Sequence, residues 1–158
     1  MDPLEHVAPG FVALAHEVVY ATIGTVDAGG RPRSRIMHPI WEWDGERLTG
    51  WVGTSPSPKL AHLERVPHVS VAYVRGWAAE AVAECRAARD DAARERVWGL
   101  FAAAEPPLGF DPGGIGVPGW DAPDAPGFVV LRFEPYRVRT RTFAPPDPPD
   151  VRTWRATG

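Results

Sequence analysis

Residues 18–43 read VVYATIGTVDAGGRPRSRIMHPIWEW, and the fold turns on how this stretch pairs. Val18 to Val26 is rich in β-branched side chains and ends in Asp-Ala-Gly-Gly, so it reads as a strand entering a hairpin. The return strand runs from Arg33 to about Trp43. A third, from Arg47 to Val52, follows Asp44-Gly45, a strong hairpin dipeptide. Three consecutive antiparallel strands are the economical arrangement, and period-two geometry puts Arg33 and Arg35 on one side of the second.

Working outward, a short helix around Pro9 to His16 precedes these strands. After them, Leu60, Leu63 and Val66 recur at helical spacing behind Pro58 and stop before Pro67. Val69, Val71 and Tyr73 alternate as a fourth strand, and Ala78 to Cys85 gives a fifth. Arg89 to Ala104 forms a helix with Val97, Leu100 and Phe101 on one face and acids early, where the helix dipole favours them. Residues 105–127 are a Pro/Gly-rich loop with Phe110 and Trp120 as anchors. Phe128 to Phe133 and Tyr136 to Phe143 are two further strands, and residues 144–158 are a proline-rich tail containing Trp154. The expected fold is mainly β, a single-domain barrel over 1–158 of about six to seven antiparallel strands with helices packed outside.

A chain of 158 residues with 44% hydrophobic and 23% charged residues is long enough to bury a core without disulfide or metal staples. Its formal net charge of −3 gives no basic footprint for nucleic acid or anionic membranes. A small anionic ligand remains compatible with that charge. Cys85 is the single cysteine, which excludes an intrachain disulfide. The first residues lack a signal-peptide pattern, and no apolar run approaches about 18 residues, so a cytoplasmic protein is expected.

Several motifs are misleading. Gly114, Gly116 and Gly119 satisfy G-x-G-x-x-G, but Pro118 and Pro123 place them in a loop rather than between a strand and a helix. The five histidines show no metal-ligand spacing, and no G-x-S-x-G elbow marks a serine hydrolase. Arg137, Arg139 and Arg141 share one strand face, expected to be solvated or at a subunit contact.

WVGTSPSPKLAHL, residues 51–63, is more informative. Ser57 and Lys59 open the helix that follows the third strand. Two arrangements suit them: Ser57 caps the helix, or an anion sits at the helix start among N–H groups, the serine hydroxyl and one or two cationic heads from Lys59, Arg33 and Arg35.

The order of these elements resembles the pyridoxamine 5′-phosphate oxidase-like family of FMN-binding split barrels, and most nearly its small general-stress-type members. VYATIGTVDAGGRPRSRIMHPIW, the tryptophan-bearing strand, Ser-Pro-Lys, KLAHLERVPH and VSVAYV carry the resemblance, with weaker support from VWGLF, PPLGFDP and VVLRFEPYRV. It implies a homodimer with FMN in a cleft between subunits. It further implies phosphate contacts from Arg35, Ser57 and Lys59, main-chain contacts to the flavin ring from Ile36, Met37 and His38, and a ribityl contact from Val52 and Gly53. Pro58 stands where members that oxidise pyridoxamine phosphate commonly have arginine, Gly53 where threonine is usual, and Trp154 and Arg155 only loosely match the C-terminal pair of true oxidases. The resemblance therefore implies a flavin site but not the vitamin substrate. The expected function is an FMN-dependent oxidoreductase acting on a small molecule. The alternatives are a deazaflavin-dependent reductase, for which Arg31, Arg33 and His38 supply extra basic groups, and a non-catalytic flavin-binding or sensing module. Trp41, Trp51 and Trp120 are candidates either for the cleft wall or for the core, and His38 for proton transfer or a structural role.

Overall fold

The computed structural model describes residues 1–158. Helix α1 (Leu4–Val18) buries Val7, Ala8, Phe11, Leu14 and Ala15, a stripe at helical spacing. It begins earlier than the proline at position 9 implies, because the buried Val7–Phe11 stripe holds its first turns in place. The helix ends at Val19, whose φ of 71° and ψ of −58° form a γ-turn closed by the Tyr20 N–H donating to the Val18 carbonyl at 2.9 Å. Val18 therefore belongs to the helix, and β1 (Ala21–Val26) starts beyond this turn.

The remaining elements are β2 (Pro32–Met37), β3 (Ile40–Trp43), β4 (Leu48–Thr54), α2 (Pro58–Arg65), β5 (His68–Arg75), β6 (Ala79–Arg89), α3 (Arg94–Ala103), β7 (Val129–Thr142) and β8 (Asp150–Arg155). All eight strands join one antiparallel sheet in the order β2-β1-β5-β6-β7-β4-β3, with β8 also on β7. Strand β7 pairs with β4 along Val129–Phe133 and with β8 along Arg137–Thr142.

Four sequence expectations are corrected here. The return strand is two strands, because His38 and Pro39 interrupt it and Pro39 has no N–H to donate. Consequently β2 and β3 lie at opposite margins of the sheet instead of forming a three-strand meander, and the hydrogen-bonded strands do not close into a ring. Beyond Phe128, a single strand runs through Pro135, with the register against β6 shifting between Glu84 and Cys85 so that Tyr136 is the extra residue. The proline-rich tail supplies β8, which brings the count above the expected six or seven. Residues 90–93 form a separate short turn before α3, with the Asp90 carboxylate accepting from the Ala93 N–H at 3.2 Å.

The inner face of β6 carries Ala79, Ala81, Ala83, Cys85 and Ala87, all buried. These small side chains leave room for the sheet to curl over α1, which lies against β3, β5, β6, β7 and β8. Phe11 sits edge-on to Trp41 at 4.8 Å, and the Trp41 indole N–H donates to the Tyr73 hydroxyl at 2.8 Å. Each large side chain buried here contributes about 1.5–3 kcal/mol of hydrophobic stabilisation. A second cluster, with Trp51, Val97, Phe101, Trp120, Phe128 and Val130, packs α3 and the 105–127 loop onto the other face of β3, β4 and β7. Phe110 and Trp120 anchor that loop as expected: Phe110 lies 4.8 Å from Phe101, and Trp120 lies 4.9 Å from Phe128.

Candidate functional site

The β1–β2 register pairs Ala21 with Met37, Ile23 with Arg35 and Thr25 with Arg33, so these residues share the inner face. That face is apolar at Ala21 and Ile23 and turns polar at Thr25, near the hairpin end. Strand β4 changes in the same way, from buried Leu48 and Val52 to buried Thr54. Each buried threonine hydroxyl accepts from one cation: Thr25 from the Arg35 guanidinium at 3.1 Å, and Thr54 from the Lys59 ammonium. Neither Arg35 nor Lys59 reaches a carboxylate. Partial burial, and then the charge of Arg35, lower the Lys59 pKa. Two cations thus lean on neutral hydroxyls with no counter-charge between them.

Helix α2 completes the arrangement. Ser57 precedes it in an extended conformation, Pro58 occupies its first turn, and the Ser57 hydroxyl makes no capping bond. Simple helix capping is therefore not what Ser57 does, and no acidic residue occupies the first turn. Ser57, Pro58, Lys59 and His62 line one side of a groove of about 500 Å³, while Arg31, Arg33, Arg35, Asp27, Ala28 and Gly29 line the other. The sequence-derived trio Arg35, Ser57 and Lys59 is brought together.

Asp27, Thr25, Thr54 and His62 were not singled out from sequence. The signal for Asp27 was the Asp-Ala-Gly-Gly turn itself, since aspartate at a hairpin start readily folds back on later N–H groups. Its Oδ1 accepts from the Gly29 N–H at 2.9 Å and the Arg31 N–H at 3.0 Å, while Oδ2 lies 3.3 Å from Arg31 Nε and 3.1 Å from Arg33. The Arg31 backbone bond above all, with help from Gly29 and Arg33, holds the carboxyl below the usual aspartate range against the opposing effect of desolvation.

The other expected residues divide. Ile36 points to the outer face and is 65% exposed, whereas Met37 packs against the core. Both lie on β2, a margin strand paired on one side only, which leaves main-chain groups free along its other side. The His38 side chain is committed elsewhere: Nε2–H donates to the Leu108 carbonyl at 2.7 Å, and the ring packs against Tyr20, Phe101 and Phe110. Val52 is buried in the core, so only its main chain is available. Gly53 faces the second cluster, where an added Cβ would meet Phe128 at 2.8 Å and Trp120 at 3.0 Å. Trp41, Trp51 and Trp120 are core residues, and none lines the groove.

A larger cleft of about 770 Å³ lies between β4, β7 and β8. Its arginines are neutralised locally, Arg96 by Glu42 at 2.6 Å, Arg132 by Asp90 at 2.7 Å and Arg47 by Asp44 at 3.7 Å. The smaller groove carries the uncompensated charge and is the candidate site.

No curated protein matches the chain. Among solved structures, it resembles a Clostridium acetobutylicum protein related to general stress protein 26 of B. subtilis, with 18% identity, 98% and 96% of the two chains covered and a TM-score of 0.66. A pyridoxamine 5′-phosphate oxidase-related, FMN-binding protein from Nostoc punctiforme shares 12% identity over 100% of this chain and 98% of the other, with a TM-score of 0.66. A FAD-binding protein from Mesorhizobium loti shares 14% identity over 87% and 95%, with a TM-score of 0.62. These likenesses identify the open, curled sheet as the fold of the FMN-binding split barrels. A sequence model described as pyridoxamine 5′-phosphate oxidase matches residues 9–142, from within α1 to the end of β7, and the chain therefore belongs to the pyridoxamine 5′-phosphate oxidase family.

Proposed function

We propose that the protein is a cytoplasmic, homodimeric flavin-dependent oxidoreductase that holds the FMN phosphate on Arg35, Ser57 and Lys59. The observation that carries this reading is the pair of cations without carboxylates, set beside a serine hydroxyl that caps nothing. A phosphate monoester carries about −1.5 to −2 charges and three acceptor oxygens, which suits two cationic heads and a hydroxyl. The FMN-binding and FAD-binding descriptions of similar structures support the same reading.

The residues fit the cofactor by chemistry. Thr25 and Thr54 orient the two cations, so little side-chain ordering remains to be done when the phosphate arrives. The free margin of β2 supplies main-chain donors and acceptors from Ile36, Met37 and His38 for the ring edge. The end of β4 at Val52 and Gly53, beyond the start of β3 opposite Trp51, supplies them for the ribityl chain. Bound flavin would supply hydride or electron transfer, and the protein's part is to hold and orient it. His38 is not the proton donor, because its Nε2–H fastens Leu108.

Titration of FMN into the purified protein, followed by quenching of flavin fluorescence, tests the site. Wild type should bind FMN, and Arg35→Ala with Lys59→Ala should weaken binding by at least about 100-fold, since each charged hydrogen bond contributes roughly 1.5–3 kcal/mol. Unchanged affinity in the double variant would remove the phosphate assignment. A deazaflavin coenzyme is the second reading, favoured by the additional arginines Arg31 and Arg33 in the groove.

A further inference from the structure

Strand β7 changes partners partway along. Its pairing with β4 ends at Phe133 opposite Gly50, and its pairing with β8 begins at Arg137 opposite Arg155. No strand flanks Glu134, Pro135 and Tyr136 on that side, and the Ala156 N–H closes the Tyr136 carbonyl at 2.9 Å. The cleft of about 770 Å³ opens at this gap, and its volume is that of a site for a small organic molecule.

Its electrostatics reverse those of the groove. Arg47, Arg96 and Arg132 stand among five carboxylates, Glu42, Asp44, Glu46 and Glu134 in the lining and Asp90 on Arg132. Glu42 is fully used, since it accepts from the Trp51 indole N–H at 2.8 Å and from Arg96 at 2.6 Å. Asp90 holds Arg132 at 2.7 Å, and Asp44 accepts from the Glu46 and Arg47 N–H groups beside the Arg47 guanidinium. Glu46 enters none of these ion pairs, and Glu134 lies 3.0 Å from Arg132 Nε without receiving a hydrogen bond from it. Two carboxylates are thus in excess, Glu46 and Glu134. No three acids come together as a metal site would require.

The apolar part of the cleft is aromatic. Trp43 and Trp154 are half-buried at the margin of the core. Arg96 lies over the Trp51 ring, 5.5 Å from its centroid, whereas the other two indoles carry no cation. Among side-chain rings, indole attracts a cation over its face most strongly.

We infer that this cleft binds an aromatic amine, positively charged at neutral pH, with its ring against Trp43 and Trp154 and its ammonium neutralising Glu134 within the field of Glu46. An anion would meet the excess carboxylates, and an aliphatic cation would leave the indole faces in water. The inference does not rest on the flavin reading, since cleft and groove share no lining residue.

The test is titration calorimetry with three probes: tryptamine, indole-3-propionate, which keeps the ring and reverses the charge, and hexylamine, which keeps the charge without the ring. Wild type should bind tryptamine about tenfold more tightly than either of the others, because each lacks one of the two attractions. Glu134→Gln and Glu46→Gln change exposed side chains isosterically and leave the fold intact. Glu134→Gln should weaken tryptamine about threefold and Glu46→Gln about twofold, the range of exposed charge pairs. Trp154→Leu should weaken it about fivefold. Arg35→Ala with Lys59→Ala should leave tryptamine within about twofold of wild type, as neither residue lines the cleft. Tryptamine binding no tighter than the acid or the aliphatic amine would overturn the inference, as would unchanged affinity in Glu134→Gln. A loss in the Arg35–Lys59 double variant as large as in Glu134→Gln would move the amine to the groove and overturn it too. Failure of FMN to bind, with this tryptamine pattern intact, would remove the flavin reading and leave the amine site standing.

Discussion

Gly53 shows how a single residue records its surroundings. Where a threonine is usual in relatives that the sequence resembles, this chain has no side chain at all, and the cause lies on the outer face of β4. Trp120 and Phe128 press against that position, so that an added Cβ would come within 2.8 Å of the Phe128 ring. Both rings are buried and held edge-on to one another at 4.9 Å, leaving no flexible end to yield. Gly53→Thr should therefore destabilise the protein by about 1–3 kcal/mol, the usual cost of overpacking a filled core. The measurement is the urea midpoint at constant slope, and an unchanged midpoint would mean that the 105–127 loop is not pinned through Trp120. Arg35 and Lys59 differ in the same way from Arg31 and Arg33: all four are basic, but only the second pair shares a carboxylate.

Two histidines join elements that no strand pairing connects, and both make stability depend on pH. His16, near the end of α1, accepts the Trp41 N–H of margin strand β3 on Nε2 at 3.0 Å, and burial lowers its pKa from 6.5. His38, between β2 and β3, ties the 105–127 loop through Leu108, and burial lowers its pKa too, with the Leu108 bond opposing in part. Lowered pKa values mean that the unfolded chain binds protons first as pH falls, so the stabilisation is present above 6.5 and is lost as pH drops through the folded-state values. Melting temperature should decline as pH is lowered below 6.5, and His16→Gln, which keeps an acceptor for Trp41 but cannot titrate, should flatten part of that slope. An equal slope in the variant would place the proton uptake elsewhere. These links also mark what the sequence could tell. The local patterns put Arg35 on a strand and Ser57 and Lys59 at a helix start, and the structure sets the three on one groove, because period-two spacing and a helix start are properties of short segments. The partner of β3, the continuation of β7 through Pro135 and the recruitment of the tail as β8 depend on contacts made far along the chain. His38 read as a candidate proton carrier for the same reason, since nothing near it in sequence announces Leu108.

At the scale of the whole molecule, the sheet has two unlike faces. The inner one is filled by α1, whereas the outer face over β5, β6, β7 and β8 has no covering element. The register sets Val74 opposite Glu80, Ala72 opposite Val82 and Ser70 opposite Glu84, and Arg139 and Arg137 then pair with Glu80 and Glu84. This surface combines short side chains with the Arg139–Glu80 and Arg137–Glu84 pairs, leaves Arg141 and Arg155 without a carboxylate, and exposes Val74 at 60%, Val151 at 47% and, in the β5–β6 turn, Trp77 at 69%. Such a face suits a second copy of the chain: a twofold contact brings the same patch against itself, and the Arg139–Glu80 and Arg137–Glu84 pairs need no new partner across it. The proposed dimer shares its cofactor cleft, so association and cofactor binding are coupled by mass action. Val74→Asp adds an acid to that contact on both protomers. The variant should sediment as a monomer at micromolar concentration while wild type sediments as a dimer, and its FMN affinity should fall by about tenfold or more, although Val74 lines no part of the groove. A folded monomer that binds FMN as tightly as wild type would show that each chain carries a complete site. Persistence of the dimer would instead move the contact off this face.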